Sequence, residues 1–450
     1  MKLHRAFDIV RGDVVAFIGA GGKTSTLLNL GHELAEMGWR VTATTTTRIG
    51  ADQLELMPYA VTPGEGTGML SKALSDFGFV FVYDEIRSGN VYGPPQGYVS
   101  QLLDSVDSDV ILVEADGARG LPLKAPFADE PMIPQETSLV VPIASVSVLG
   151  QELDDEHVYN AQAIIDRYGF GEGQRVKSPW VAQVLRDEEL GLARVPDNAR
   201  VVALLNQVTS RGYERGRARL IARLILRSRR VQSVAIGSVR GANPIFEVQR
   251  PVGAIVLAAG MARRMGQPKV LLPWTGKNTI LEQIINQLIL ARVDYITVVT
   301  GNRAGEVRSL ATKRGVEAVH NPHYETGEML SSLKAGLQSM PEHIQAALVV
   351  LGDQPRIQPK TVNQLIMAYA EGKGYIVAPR YQKQRGHPML IDRRFWSEIL
   401  DLPDGGAPRD VINRHKSETA FVDVNTDSIL GDVDTPEDYA RERWRAGLRD

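Results

Sequence analysis

Residues 253–274 read GAIVLAAGMARRMGQPKVLLPW, an apolar run followed by a glycine-containing turn and a basic segment. Residues 14–38, VVAFIGAGGKTSTLLNLGHELAEMG, have the same order of apolar run, glycine turn and helical pattern. A strand, a glycine turn and a helix form the opening unit of a nucleotide-binding α/β domain. The two stretches therefore predict one such domain in each half of the chain.

Short runs rich in Val, Ile and Leu follow each opening and alternate with helical patterns. They lie at 39–47, 77–84, 109–116 and 200–208 in the first half, and at 294–301, 346–353 and 374–381 in the second. Apolar runs of this length are typical of parallel strands that are covered on both faces. We predict an α/β fold with two doubly wound domains, residues 1–247 and 248–450. The boundary between them is expected near 240–252, where Gly, Asn and Pro follow an apolar run.

The composition excludes several classes of protein. The 450 residues carry 51 basic and 53 acidic side chains, and this balance argues against a dedicated nucleic-acid-binding protein. The absence of cysteine excludes disulfides, thiolate metal sites and a cysteine nucleophile. The start, MKLHRAFDIVRGD, lacks the apolar stretch of a signal peptide, and no apolar run of about 18 residues occurs. We expect a soluble, cytoplasmic protein that binds neither nucleic acid nor membrane.

The basic segment 211–230 carries eight arginines and one acid, interleaved with apolar residues at helical spacing. This pattern favours a surface helix with a solvated basic face over an anion-binding patch.

Residues 257–269, LAAGMARRMGQPK, predict a phosphate-binding loop in the second domain. Backbone N–H groups of a glycine loop that opens a helix bind phosphates, and the helix dipole adds to the attraction. Arg264 and Lys269 supply the positive charge that a triphosphate needs. Asp353 ends an apolar strand, at the sheet edge where α/β proteins bind ligands, and its carboxylate suits Mg²⁺. We predict Arg264, Lys269 and Asp353 as catalytic residues and Mg²⁺ as cofactor.

The order LAAG, RMG and Lys269 resembles the signature of the nucleotidyltransferases of molybdenum cofactor maturation, which belong to the glycosyltransferase-A-like superfamily of sugar-nucleotide pyrophosphorylases. Four later segments resemble this family in the same order: NPHYETGEMLSSLKAGL (321–337), LGDQP (351–355), RGHP (385–388) and VDTPEDY (433–439). The resemblance implies a Rossmann-like domain whose nucleotide contacts are Leu257, Ala258, Ala259, Gly260, Lys269 and Ser332. It also implies Asp434 as a second metal ligand beside Asp353, with Asp432 as a close competitor and helix capping as the alternative role.

The loop sequence separates two branches of this family. LAAG at 257–260 resembles the cytidylyl-transferring branch, whereas the guanylyl-transferring branch usually has LAGG. The resemblance therefore implies CTP and molybdopterin as substrates, with molybdopterin cytosine dinucleotide and pyrophosphate as products. DGGAPRDVI at 404–412 departs from the GD-x-GAR-like turn of the cytidylyl branch. The alternatives are guanylyl transfer to molybdopterin, nucleotidyl transfer to a sugar phosphate, and a non-catalytic carrier of the finished cofactor.

GAGGKTS at 19–25 fits the shorter phosphate-loop pattern G-x-x-G-K-[TS] and predicts a P-loop NTPase-like N-terminal domain. The predicted nucleotide contacts are Gly19, Gly21, Gly22, Lys23, Thr24 and Ser25. Glu114 and Asp116 follow the strand DVILV and resemble a Walker-B acid, so we predict Thr24 and Asp116 as metal ligands. LLNQV at 204–208 lacks the N-K-x-D motif of GTPases, and the nucleotide stays open between ATP and GTP.

Two further segments of the first half, VEADGARGLPLKAP (113–126) and LDDEHVYNA (153–161), resemble a second family. They are similar to the YqeC-like accessory proteins of selenium-dependent molybdenum hydroxylases, over residues 10–240. The resemblance implies binding of ATP or GTP, and an apo molybdenum hydroxylase of the xanthine dehydrogenase type as partner. Arg119 and Lys124 are expected to be either anion contacts or solvated loop charges.

Overall fold

The computed structural model describes residues 1–209, 211–261 and 265–448. The chain forms two compact units, Met1–Gln249 and Arg250–Asp450. Within the stretch 240–252, where we expect the boundary, the strand Ile245–Gln249 ends the first unit and Val252–Ala258 begins the second. The Gly, Asn and Pro residues mark only the turn before Ile245–Gln249, whose Ile245 and Val248 are buried in the first unit.

A nine-stranded sheet forms the centre of the first unit. From edge to edge its strands are Ile245–Gln249, Ser233–Gly237, Arg200–Asn206, Leu139–Ser145, Val14–Gly19, Val110–Glu114, Val41–Thr45, Phe79–Val82 and Ala60–Val61. Ile245–Gln249 pairs antiparallel with its neighbour, and the other pairs are parallel. Val14–Gly19 lies in the interior of this sheet, so the residues that follow it emerge from the carboxyl edge between neighbouring strands.

The strand Leu139–Ser145 lies directly beside Val14–Gly19 but is missing from the predicted runs. Its sequence contains Pro142, which pairs with Ile18. Proline has no N–H for the ladder and argues against a central strand when only the sequence is known. Burial of the whole strand in the sheet outweighs the lost hydrogen bond.

Helices cover both faces of this sheet. Successive side chains of the strand Val14–Gly19 point to opposite faces and are buried in two different apolar clusters. Val15 and Phe17 belong to one cluster, and Val14, Ala16 and Ile18 belong to the other. The α-helices are Leu3–Ala6, Lys23–Glu36, Ala51–Leu54, Thr67–Phe77, Tyr98–Ser105, Ala161–Tyr168, Ser178–Arg186 and Tyr213–Ile225. The unit also contains two small sheets. One pairs Leu123–Lys124 with Val158–Tyr159, and the other has the strand order Arg48–Gly50, Asn90–Tyr92 and Glu85–Arg87.

The basic segment forms the helix Tyr213–Ile225, which buries Ala218, Ile221, Ala222 and Ile225. Its Arg215 and Arg219 form ion pairs with Glu247, a carboxylate that is fully buried. Since a buried charge needs a partner, these two arginines have a structural role, which a solvated basic face does not include.

The second unit contains a mixed sheet in the order Glu317–His320, Tyr295–Thr300, Val252–Ala258, Ala346–Leu351, Met389–Asp392, Ile376–Tyr381 and Gln384–Arg385, with Thr419–Asp423 beside Ile376–Tyr381. The first four strands are parallel, and Met389–Asp392 runs antiparallel to its neighbours. A short hairpin pairs Pro273–Thr275 with Asn278–Thr279. The α-helices are Ile280–Leu290, Ala304–Lys313, Glu328–Gln338, Pro359–Ala370, Trp396–Leu400, Pro408–Arg414 and Pro436–Arg445.

Both units are therefore α/β folds, the first with a largely parallel sheet and the second with a mixed one, and the predicted α/β class is confirmed. The P-loop NTPase-like character of the first unit stays a prediction. Among the described residues, no helix combines the length and the apolar character needed to cross a bilayer.

Candidate functional site

The N-terminal glycine loop, residues 19–25, connects Val14–Gly19 to the helix Lys23–Glu36. Gly19, Gly21 and Gly22 have φ angles of +89°, +84° and +130°, which side chains other than glycine rarely adopt. A Cβ at Gly21 would lie 2.6 Å from the Cβ of Ser145, and one at Gly19 would collide with the carbonyl oxygen of Ile143. The strand Leu139–Ser145, which is missing from the predicted runs, therefore leaves space only for glycine at positions 19 and 21.

Lys23 lies at the start of the helix and is almost fully buried. Its Nζ donates to the carbonyl oxygen of Gly19 at 2.7 Å and lies 3.2 Å from Asp116 Oδ1 and 3.9 Å from Glu114 Oε1. Asp116 Oδ2 accepts the N–H of Gly19 at 2.9 Å and lies 3.3 Å from Lys124 Nζ. Asp116 therefore joins the glycine loop to two lysines.

The hydroxyl of Thr24 donates to Glu114 Oε2 at 2.8 Å. Burial raises the pKa of the Glu114 carboxyl, while Lys23 and the Thr24 hydroxyl act in the opposite direction. We predicted that Thr24 and Asp116 share a metal ion. The structure instead brings Thr24 to Glu114 and uses Asp116 to pair with lysines. Ser25 lies at the cleft and accepts from Arg240 at 3.3 Å.

Asn206 is a residue of this site that sequence reasoning did not single out. Its Nδ2 donates to the carbonyl oxygen of Gly21 at 2.8 Å, and its Oδ1 accepts the N–H of Val239 at 3.0 Å. A Cβ at Gly22 would clash with the same amide. The available signal is an asparagine at the end of an apolar run, at the place where GTPases have N-K-x-D.

A cleft of about 620 Å³ opens at the glycine loop. It is lined by Gly21, Gly22, Lys23, Thr24, Ser25, Thr47, Arg48, Ile49, Gly50, Gln53, Asn90, Glu114, Gly117, Ala118, Arg119, Gly120, Glu130, Tyr159, Gln207 and Arg240. We refer to it as the N-terminal cleft. Five of the six predicted N-terminal nucleotide contacts, all except Gly19, line it.

In the second unit, the LAAG segment lies at the end of Val252–Ala258, beside the end of Ala346–Leu351. Gly352 donates its N–H to the carbonyl oxygen of Leu257 at 3.0 Å. A Cβ at Gly352 would lie 2.5 Å from that oxygen, so the close approach requires glycine. Parallel pairing thus places Asp353 and the LAAG segment at the same sheet edge.

Lys269 lies between two carboxylates at this edge. Its Nζ is 3.3 Å from Asp353 Oδ2 and forms a shorter hydrogen bond with Asp434 Oδ1. We call Lys269, Asp353 and Asp434 the lysine–aspartate cluster. Burial raises the pKa of the Asp353 carboxyl; Lys269 opposes this, and the charges of Asp432 and Asp434 add to it.

Asp432 and Asp434 make different contacts beside this cluster. Asp432 accepts from Gln354 Nε2 at 2.6 Å, whereas Asp434 meets Lys269. The helix Pro436–Arg445 is capped by Thr435, whose hydroxyl accepts the N–H of Asp438. Capping therefore does not occupy the Asp434 side chain. Arg264, the remaining predicted catalytic residue, lies outside the described residues.

The segment 321–338 lines a cavity of the second unit, of about 580 Å³, together with Asp404 and Gly405. Ser331 lines this cavity, whereas Ser332 is buried and accepts from Asn321 Nδ2 at 3.0 Å. Asp404 and Gly405 belong to DGGAPRDVI, so the departure from the cytidylyl pattern lies at a cavity. Throughout residues 1–209, 211–261 and 265–448, no three or more His, Cys, Asp or Glu side chains converge as a metal site.

Comparison with known proteins assigns both units. Residues 15–162 match the family model described as YqeC protein, and residues 254–419 match that of the MobA-like NTP transferase domain. The chain is 32% identical over 202 residues to the uncharacterized protein YqeC of Escherichia coli (strain K12), covering 44% of this chain and 77% of that protein. The chain belongs to the YqeC family, and its C-terminal unit is a MobA-like NTP transferase domain.

Further similarity is found to a second E. coli (strain K12) protein, molybdenum cofactor cytidylyltransferase, with 29% identity over 199 residues that cover 43% of this chain and 97% of that protein. The crystal structure of Rv0371c from Mycobacterium tuberculosis H37Rv is 28% identical, with a TM-score of 0.38, and the match covers 43% of this chain and 98% of that chain. The two family resemblances predicted from sequence are confirmed, and the second unit is a nucleotidyltransferase.

Proposed function

We propose that the C-terminal unit transfers the cytidylyl group of CTP to molybdopterin, producing molybdopterin cytosine dinucleotide and pyrophosphate. The observation that carries the proposal is the lysine–aspartate cluster, which lies at the sheet edge where the LAAG segment ends. The LAAG sequence and the similarity to the E. coli cytidylyltransferase support CTP and molybdopterin as the substrates.

The same cluster suits a magnesium ion. Asp353 and Asp434 already share one cation, the ammonium group of Lys269, and carboxylate oxygens are ligands that Mg²⁺ prefers. Burial disfavours the Asp353 carboxylate, so its ionised form needs positive charge nearby. We propose Asp353 and Asp434 as the residues that hold Mg²⁺. When bound, the ion would neutralise charge on the phosphates of the nucleotide.

The proposed reaction needs positioning more than proton transfer. The terminal phosphate of molybdopterin attacks the α-phosphorus of CTP, and the bond to the pyrophosphate leaving group breaks. A phosphate monoester has its second pKa at about 6 and is largely ionised at neutral pH, so no protein base is required. Lys269 and Arg264 then have the role of holding two anions together and offsetting their repulsion.

For the N-terminal unit we propose NTP binding at the glycine loop, in support of maturation of a molybdenum hydroxylase. Lys23 would bind the terminal phosphates, and Thr24 would contribute its hydroxyl to a metal ion beside Glu114. The combination of Gly19, Gly21 and Gly22 with this lysine and threonine supports the proposal. ATP and GTP both stay open because Gln207 occupies the position of the GTPase lysine.

The test uses the purified full chain, Mg²⁺ and molybdopterin with CTP, GTP, ATP or UTP in separate reactions. Pyrophosphate release gives the rate, and mass spectrometry identifies the dinucleotide. We expect the cytosine dinucleotide, and its loss in Asp353→Asn but not in the matched variant Asp432→Asn. A guanine dinucleotide would replace the proposal by guanylyl transfer. Turnover with a sugar 1-phosphate instead of molybdopterin would identify another nucleotidyltransferase, and absence of turnover with every nucleotide would favour a carrier.

A further inference from the structure

Three arginines reach the N-terminal cleft from three separate elements. Arg48 begins the strand Arg48–Gly50, Arg119 lies in the loop after Val110–Glu114, and Arg240 follows Ser233–Gly237. All three side chains are exposed. Within the part of the chain that the structure describes, their contacts are with the Tyr92 hydroxyl, the Tyr159 ring and the Ser25 hydroxyl, and none pairs with a carboxylate.

The carboxylates that line the N-terminal cleft do not offset this charge. Glu130 pairs with Lys124 Nζ at 2.7 Å, and Glu114 accepts from the Thr24 hydroxyl at 2.8 Å and lies 3.9 Å from Lys23 Nζ. The arginines therefore give the cleft an excess of positive charge. Guanidinium groups are weakly hydrated, and their N–H groups match phosphate oxygens in pairs.

The arginines lie on both sides of the glycine loop. Gln207 and Arg240 follow strands on one side of Val14–Gly19, whereas Arg48 and Arg119 follow strands on the other side. The outermost of these strands, Ser233–Gly237 and Val41–Thr45, are five neighbours apart, which corresponds to about 24 Å across the sheet. A nucleotide whose phosphates occupy the glycine loop extends its nucleoside in one direction and leaves the other half of the cleft open.

We propose that the half of the N-terminal cleft between Arg48 and Arg119 binds a second ligand, a phosphate monoester, beside the nucleotide at the glycine loop. The division into two halves rests on the proposed nucleotide site. A phosphate monoester carries a charge of about −1.5 to −2 near neutral pH, which matches two guanidinium groups better than a carboxylate does. Molybdopterin, the proposed substrate of the C-terminal unit, belongs to this chemical class.

Arg119 is positioned for this role by its surroundings. Its φ angle is +49°, and its guanidinium carbon lies 5.5 Å from the centroid of the Tyr159 ring. Tyr159 pairs through its strand with Lys124, the residue that neutralises Glu130. The same small sheet therefore orients the arginine and removes the competing negative charge.

The experiment is isothermal titration calorimetry of the full chain with phenyl phosphate, a simple phosphate monoester, and with benzoate as the carboxylate reference. We expect saturable binding of phenyl phosphate at least tenfold tighter than that of benzoate. Arg48→Ala and Arg119→Ala should each weaken it at least tenfold. Arg87→Ala is the matched control, since Arg87 is an exposed arginine of the sheet that contains Arg48 but does not line the cleft; it should bind within twofold of wild type.

A saturating non-hydrolysable ATP analogue with Mg²⁺ separates the two sites. In its presence the Kd of phenyl phosphate should stay within threefold of its value without the analogue. Displacement of phenyl phosphate by the ATP analogue, equal affinity for benzoate, or wild-type affinity in both cleft variants would each overturn the inference. Failure of the ATP analogue to bind would contradict the proposed nucleotide site alone, since the Arg48→Ala and Arg119→Ala titrations still decide whether the second site exists.

Discussion

Substitution of Asn206 by alanine tests whether the glycine loop depends on a side chain beneath it. Asn206 is buried, and its amide makes two hydrogen bonds, to the carbonyl oxygen of Gly21 at 2.8 Å and from the N–H of Val239 at 3.0 Å. Asn206→Ala removes both at once. The carbonyl of Gly21 and the N–H of Val239 are then left without these partners in the protein interior.

The size of the effect follows from these two backbone groups. Leaving one buried donor or acceptor unsatisfied costs about 1–3 kcal/mol, so we expect the loss of both partners in Asn206→Ala to lower the free energy of unfolding of the first unit by about 2–6 kcal/mol. The matched control is Gln207→Ala. Gln207 is exposed and accepts one hydrogen bond, from the Ser145 hydroxyl at 2.7 Å, so its loss should cost less than about 1 kcal/mol.

The assay is urea unfolding followed by pulsed hydrogen exchange and mass spectrometry, with peptides from residues 14–36 and 200–208 as reporters of the first unit. Calorimetry with a non-hydrolysable ATP analogue gives the second readout, and its Kd should increase at least tenfold in Asn206→Ala. Unfolding midpoints that coincide for Asn206→Ala and Gln207→Ala, with nucleotide affinities within twofold, would refute a supporting role for Asn206.

Four further predictions concern the two proposed sites. Asp353→Asn should lower kcat for pyrophosphate release at least 100-fold with unchanged circular dichroism, because we propose that this carboxylate holds the cation; near wild-type turnover would contradict the metal assignment. Burial raises the pKa of the Asp353 carboxyl, so this group takes up its proton at a pH above the ordinary aspartate pKa of about 3.9. We therefore expect kcat/KM for CTP to fall in that higher pH range as the pH is lowered. The folded state then favours the protonated form, so this carboxyl does not contribute to acid unfolding; the check is a rate profile set beside a thermal unfolding profile over the same pH range. Lys23→Ala should abolish nucleotide binding by the N-terminal unit and leave cytidylyl transfer within twofold, which calorimetry and pyrophosphate release measure separately. Ala259→Gly should narrow the preference for CTP over GTP, mainly by raising kcat/KM for GTP, since removal of the methyl group opens space and frees the loop backbone. An unchanged ratio would place base discrimination elsewhere, and wild-type preference for GTP would overturn cytidylyl transfer.

Much of the fold could be predicted because it depends on local patterns. Each apolar run named in the sequence became a strand, since burial on both faces requires a continuous apolar stretch. The exceptions are informative. Leu139–Ser145 was missed because Pro142 weakens the local strand signal, and Ile245–Gln249 was not predicted as a strand because a turn sequence precedes it. In both strands, packing against a neighbour that is distant in sequence outweighs the local preference.

The residues of the two candidate sites likewise fall into those that local sequence predicts and those that only tertiary contacts bring together. The glycines of the N-terminal loop could be identified from sequence, because a close backbone turn excludes every side chain wherever it occurs. Lys269 and Asp353 could be named because each follows or ends a recognisable motif. Their meeting with Asp434 could not be worked out from the residues alone, since 165 positions separate Lys269 from Asp434.

The sequence by itself determined that this chain has two α/β units, each with a glycine turn and a charged residue suited to phosphate, because strand periodicity and backbone freedom are properties of a few consecutive residues. Only the tertiary structure decided which of several neighbouring polar residues makes each contact at the two sites. It selected Asp434 rather than Asp432 for Lys269, Glu114 rather than Asp116 for Thr24, and Asn206 as the support of the glycine loop. The physical reason is that a side chain two positions further along a strand end or turn meets a different neighbour, and that neighbour is fixed by strand order.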